Sequence, residues 1–220
     1  MISRSFVTFL LILVSQFSFS QDSLSFLALG DSYTIGESVS ESSRWPVQLA
    51  DSLNIKGIYI KNPVIIARTG WRTDELKQAI EDKKPEKNYD LVGLLIGVNN
   101  QYQGKSPESY RSEFEELLDI AIAHANGNKS RVFVVSIPDY GYTPFGKKSQ
   151  EKISNELDVY NNINKAITEG RGVKYFYITD ISRQYDATLV AEDGLHPSGK
   201  QYALWVQEIL NEEQFINSLR

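Results

Sequence analysis

The chain has 220 residues, 41% hydrophobic and 23% charged, with a net charge of −5, which is the composition of one globular domain and not of a disordered or collagen-like chain. It has no cysteine and two histidines, His124 and His196, which excludes a thiol nucleophile, a zinc ribbon, an iron–sulfur cluster and a three-histidine metal centre. The acidic balance gives no reason to expect nucleic acid or an anionic membrane as a partner, so chemistry must run on hydroxyls, carboxylates, amides, basic groups and at most two imidazoles.

Residues 1–20 read as a secretory signal peptide. Arg4 gives a positive start, Phe6 to Val14 is apolar except for Thr8, and Ser18-Phe19-Ser20 places small residues where a signal peptidase reads. Ser15 and Gln16 break the run well short of the about 20 apolar residues that span a bilayer. Cleavage between Ser20 and Gln21 leaves a single domain over 21–220. Loss of Arg4 makes it one unit more acidic than the whole chain.

Apolar strand-like runs then alternate with helix-period segments. Ser25–Leu29 reads as a strand, and Trp45, Leu49 and Leu53 mark one face of a helix. A second strand is expected within Ile58–Ala67, interrupted by Asn62-Pro63, and Thr73 opens a helix through Leu76 and Ile80. Leu91–Ile96 lacks any polar side chain, as a strand covered on both faces should. Tyr110, Phe114, Leu117, Leu118, Ala121 and Ala125 follow helical spacing up to the Asn126-Gly127-Asn128 stop. Val132–Ser136 is the fourth strand. Ile153, Leu157, Tyr160, Ile163 and Ile167 stripe a long helix ending at Gly170, Val173–Ile178 is the fifth strand, and Tyr202, Val206, Ile209 and Leu210 define the last helix. Five strands separated by helices, without hairpin signals, predict an α/β three-layer sandwich around a doubly wound parallel sheet of flavodoxin-like order.

Ligands in such folds sit at the carboxyl ends of the strands. Those ends carry Gly30-Asp31-Ser32-Tyr33, Arg68-Thr69-Gly70-Trp71, Gly97-Val98-Asn99-Asn100, Pro138-Asp139-Tyr140 and Asp193-Gly194-Leu195-His196. A serine hydroxyl becomes a nucleophile when an imidazole accepts its proton, and the imidazole needs an acceptor on its other nitrogen. Ser32, His196 and Asp193 supply these groups. The tetrahedral oxyanion needs pre-placed donors, each worth about 3–4 kcal/mol, and the N–H groups of Ser32 and Gly70 with the Asn99 amide are the candidates. Taken singly each segment is an ordinary turn or cap; their order at four strand ends carries the inference. His124, in the last turn of its helix, is expected on the surface and outside the chemistry.

These four blocks resemble those of the SGNH, or GDSL, hydrolases, and the resemblance runs from the first strand to the last helix. It implies a three-layer serine esterase with Ser32 as nucleophile, His196 as base, Asp193 as acid, Gly70 and Asn99 as oxyanion donors beside the Ser32 amide, and no metal or organic cofactor. One departure stands out. The third block usually reads Gly-x-Asn-Asp, and Asn100 replaces its final carboxylate, which bears on the positioning of that loop.

The expected reaction is hydrolysis of carboxylic esters, O-acyl or O-acetyl, through an acyl-enzyme, on a small-molecule or glycan substrate and without an obligate protein partner. Lysophospholipase and thioesterase activity would use the same site. Tyr140, Tyr142 and Phe145, beyond the fourth strand, and Trp71, beside the oxyanion glycine, are candidates for contact with substrate. Two rivals are a flavin-type phosphate site in the Ser32–Ser38 loop, which leaves Asp193 and His196 without a purpose, and a non-catalytic acyl or glycan binder on the same fold.

Overall fold

The structure is a computed structural model that describes residues 23–220. The expected signal peptide and its cleavage point lie outside the described residues.

The strands β1 (Phe26–Gly30), β2 (Val64–Ala67), β3 (Leu91–Leu95), β4 (Val132–Val135) and β5 (Lys174–Phe176) form one sheet in the order β2-β1-β3-β4-β5, with every neighbouring pair parallel. This is the flavodoxin-like order expected above. The order follows burial. β1, β3 and β4 are buried along their whole length and take the centre, whereas β2 and β5 keep partly exposed residues and form the edges. The helices are α1 (Ser32–Ile35), α2 (Trp45–Ile55), α3 (Thr73–Lys83), α4 (Val98–Tyr102), α5 (Pro107–His124), α6 (Gln150–Gly170), α7 (Thr179–Ser182), α8 (Gly199–Leu210) and α9 (Glu213–Ser218). α2 packs on α8, and α3, α5 and α6 form a second packed row, so both faces of the sheet are covered. Among the described residues no helix is long and apolar enough to cross a membrane.

The second strand is shorter than the sequence suggests. Pro63 has no N–H to give a ladder, so continuous pairing begins at Val64 and the upstream segment touches the sheet only at an isolated Leu24–Ile60 bridge. The fifth is trimmed to Lys174–Phe176. Over its end the ring of Phe215, on α9, packs edge-on against Phe133 at 5.5 Å and Phe176 at 5.3 Å.

His124 is buried, not on the surface as expected. Its Nδ1 lies 2.9 Å from the Glu86 carbonyl, its ring meets Tyr89 edge-on, and its own carbonyl accepts the N–H groups of Asn88 and Tyr89. Its place at the helix end argued for a solvated ring, but the chain entering β3 folds over it and supplies a backbone partner. It stands at the amino end of the sheet, opposite Ser32.

Candidate active site

β1 ends at Gly30, and the chain turns through Asp31 into α1, whose first residue is Ser32. Asp31 caps this turn: its Oδ1 accepts the Tyr33 N–H at 3.0 Å. The turn is held from the other side by the Ser32 carbonyl, which accepts the N–H groups of Gly36 and Glu37, both at 3.0 Å. Asp31 is wholly buried and its Oδ2 has no partner. Burial pushes its carboxyl up from 3.8 to about 7, against backbone hydrogen bonds that oppose the rise.

Asp193 and His196 share the loop before α8. The loop is closed by Ala191 N–H donating to the His196 carbonyl at 2.8 Å and by an antiparallel bridge between Val190 and Pro197. Asp193 Oδ1 accepts the backbone N–H groups of Leu195 and His196 at 2.9 Å each, and Oδ2 lies 2.6 Å from His196 Nδ1. Partial burial would raise the Asp193 carboxyl, but these bonds and one from Ser38 outweigh it and hold the group well below the usual carboxylate range. Underneath, the Tyr33 ring meets the His196 imidazole edge-on at 5.9 Å between centroids. Ser32 and His196 line the same pocket without a hydrogen bond between their side chains.

Gly70 and Asn99 reach this pocket from the ends of β2 and β3. Gly70 sits at φ 87°, in the left-handed region a side chain resists. Asn99 is aimed by Gly97, at φ 133°, where a Cβ would lie 2.7 Å from the Tyr110 ring. One Asn99 Nδ2 proton goes to the Trp71 carbonyl at 3.0 Å, and the carboxamide has a second to offer. Asn100, the departure from the usual block, is fully buried: Oδ1 accepts the Thr73 N–H at 3.1 Å, while Nδ2 donates to Thr73 Oγ1 at 2.6 Å and to Glu113 Oε2 at 3.3 Å. The Thr73 hydroxyl also donates to Glu113. A carboxylate is therefore present at this loop, contributed by α5 from a position that no local motif marks.

The pocket has a volume of about 180 Å³. Beyond Ser32, Gly70, Asn99 and His196 it is lined by an aromatic cluster, Tyr102, Tyr140 and Phe145, whose ring centroids lie 6.1–6.2 Å apart. Tyr140 is held from below by its hydroxyl bond to Gln101, and the turn carrying it is capped by buried Asp139, which pairs with Arg183. Two expected contacts are displaced. Trp71 offers the pocket only its carbonyl, through Asn99, and Tyr142 turns to the far side of its loop to pack against Tyr185 at 5.1 Å. Tyr140 and Tyr142 bracket one glycine on a single 3₁₀ turn, and that turn aims their rings apart. Tyr102, which no motif in the sequence marks, is 59% exposed and forms one wall of the pocket. Among the described residues no group of three or more acidic or histidine side chains is arranged to hold a metal ion.

A parallel sheet whose carboxyl edge gathers a serine, a histidine–aspartate pair, a left-handed glycine and an asparagine around one small pocket has the architecture of an ester-hydrolysing enzyme. The chain belongs to the GDSL-like lipase/acylhydrolase family, whose model matches residues 28–204. It is 24% identical over 199 residues to an arylesterase from Vibrio mimicus, covering 88% of this chain and 90% of that protein. Its fold is shared by a lipolytic protein of the G-D-S-L family from Veillonella parvula (TM-score 0.66, 17% identity, 87% of this chain and 99% of that one). It is shared also by the psychrotrophic esterase EstA from Pseudoalteromonas sp., whose structure is inhibited by monoethylphosphonate (TM-score 0.63, 17% identity, 89% and 100%).

Proposed function

We propose that this protein is an exported serine esterase that cleaves small carboxylic esters through an acyl-enzyme. The observation that carries the reading is the 2.6 Å pairing of His196 Nδ1 with Asp193 Oδ2 in a loop whose imidazole shares a pocket with Ser32. With Nδ1–H donated to the carboxylate, the other ring nitrogen is left as a base for the Ser32 proton. Ser32 Oγ attacks the acyl carbon, and the proton passes through His196 to the leaving alcohol. Water then attacks the acyl-enzyme, giving its proton to His196, which passes that proton to Ser32 Oγ as the carboxylic acid departs. The oxyanion is met by the N–H groups of Ser32 and Gly70 and by the second Asn99 Nδ2 proton. The narrow pocket with its wall of three rings suits a short acyl group or an aryl ring; the likeness to a protein named an arylesterase points the same way. Export rests on residues 1–20.

The test is a panel of p-nitrophenyl esters of increasing acyl length with Ser32→Ala as control, together with labelling by a fluorophosphonate probe. Ser32→Ala is expected to lower kcat by a factor on the order of 10³–10⁶ and to abolish labelling. Near-parental turnover in that variant would overturn the assignment. Amino-terminal sequencing of protein recovered outside the cytoplasm checks cleavage before Gln21.

A further inference from the structure

Asp193 accepts four hydrogen bonds, and three come from its own loop. The fourth comes from 155 residues away, where Ser38 Oγ donates to Oδ2 at 2.6 Å, the same oxygen that faces His196 Nδ1. Ser38 has φ 64°, a left-handed conformation uncommon for a residue with a side chain. Gly36, at φ 71°, makes the preceding left-handed turn, and Val39 N–H closes back on the Gly36 carbonyl at 3.3 Å. The neighbouring residue of the turn, Glu37, accepts from Thr69, beside Gly70. The turn after the serine thus holds the oxyanion-glycine loop on one side and the aspartate on the other, while its own start is tied to the Ser32 carbonyl.

We infer that Ser38 is a positioning residue for catalysis: its hydroxyl fixes the Asp193 carboxylate, and through it the imidazole, relative to Ser32. Without that bond Oδ2 keeps its partner within the loop but loses the hydrogen bond that ties the carboxylate to the turn after Ser32. The hydroxyl does not line the catalytic pocket, so its contribution falls on the chemical step and not on substrate binding. The inference rests on the reading of Asp193 as the acid of the site.

The test compares Ser38→Ala, and Ser38→Gly, which accepts a positive φ freely and so separates the hydroxyl from the backbone. Both are expected to lower kcat on a short p-nitrophenyl ester on the order of tenfold, with KM and melting temperature unchanged. In an Asp193→Ala background Ser38→Gly is expected to have no further effect, because the group it positions has gone. A purely structural role would instead lower kcat by the same factor in both backgrounds, and that result overturns the inference. So does parental kcat in both single variants while Asp193→Ala is impaired. If Asp193→Ala itself keeps full activity, the triad reading fails first.

Discussion

Asp31→Asn isolates the consequence of a carboxyl sealed under the turn that carries Ser32. Asp31 is fully buried, Oδ2 lacks a partner, and its carboxyl titrates at about 7 against an ordinary 3.8. The shift is upward for an acid, so between those two values the folded state binds more protons than the unfolded state. Stability from this group is therefore greatest at and below pH 3.8, falls as pH rises through the window, and is flat above about 7. At about 1.4 kcal/mol for each of roughly three pH units, the loss is about 4 kcal/mol. Asparagine keeps an oxygen for the Tyr33 N–H and removes the ionisation. The difference in unfolding free energy between variant and parent, measured by urea titration at intervals from pH 4 to pH 8, is expected to move in favour of the variant by about 4 kcal/mol, near 10 °C in melting temperature for a domain this size. All other titrating groups cancel in that difference. A constant offset between the two proteins, to within about 1 kcal/mol over the range, would refute the reasoning, whatever its sign.

Asn99→Ala removes the side-chain amide proposed as an oxyanion donor and is expected to lower kcat roughly 10²- to 10³-fold, with a smaller effect on KM, by steady-state kinetics on a short ester. Phe145→Ala opens the wall between the pocket at Ser32 and the adjoining cavity of about 300 Å³ that shares Tyr102, Tyr140 and Phe145. Its KM for phenyl and short-chain esters is expected to rise roughly tenfold, while the ratio of kcat/KM for longer to shorter acyl chains increases; an unchanged chain-length profile would show that the ring does not bound the substrate.

The parts of the fold legible in the sequence are those whose residues report burial directly. Leu91–Leu95 has no polar side chain because it is covered on both faces, and the Tyr110–Ala125 stripe is a helix face long enough to show its period. α1, α4 and α7 are a turn or little more, too short for any period to emerge, and Pro63 shortened β2 by removing a donor that apolarity alone does not reveal. In the candidate site, the pairing of Asp193 with His196 is set by the backbone turns of one loop and could be read from their spacing. The rest depends on chain segments that meet only after folding: the Glu113 carboxylate beside Asn100, the Tyr102 ring against Phe145, the Ser38 hydroxyl on Asp193, the loop over His124. Tyr142 failed for the opposite reason, since sharing a loop with Tyr140 does not fix which way each ring points.

The Phe215 ring that closes the sheet over Phe133 and Phe176 belongs to the last few residues of the chain. During synthesis, β4 and β5 leave the ribosome long before the side chain that seals them. Until α9 is made and docks, the aromatic edge of β5 lacks that cover. A truncation that removes α9 is therefore expected to uncover the Phe176 side of the cluster, while Phe133 keeps Phe26 and Trp45 as neighbours.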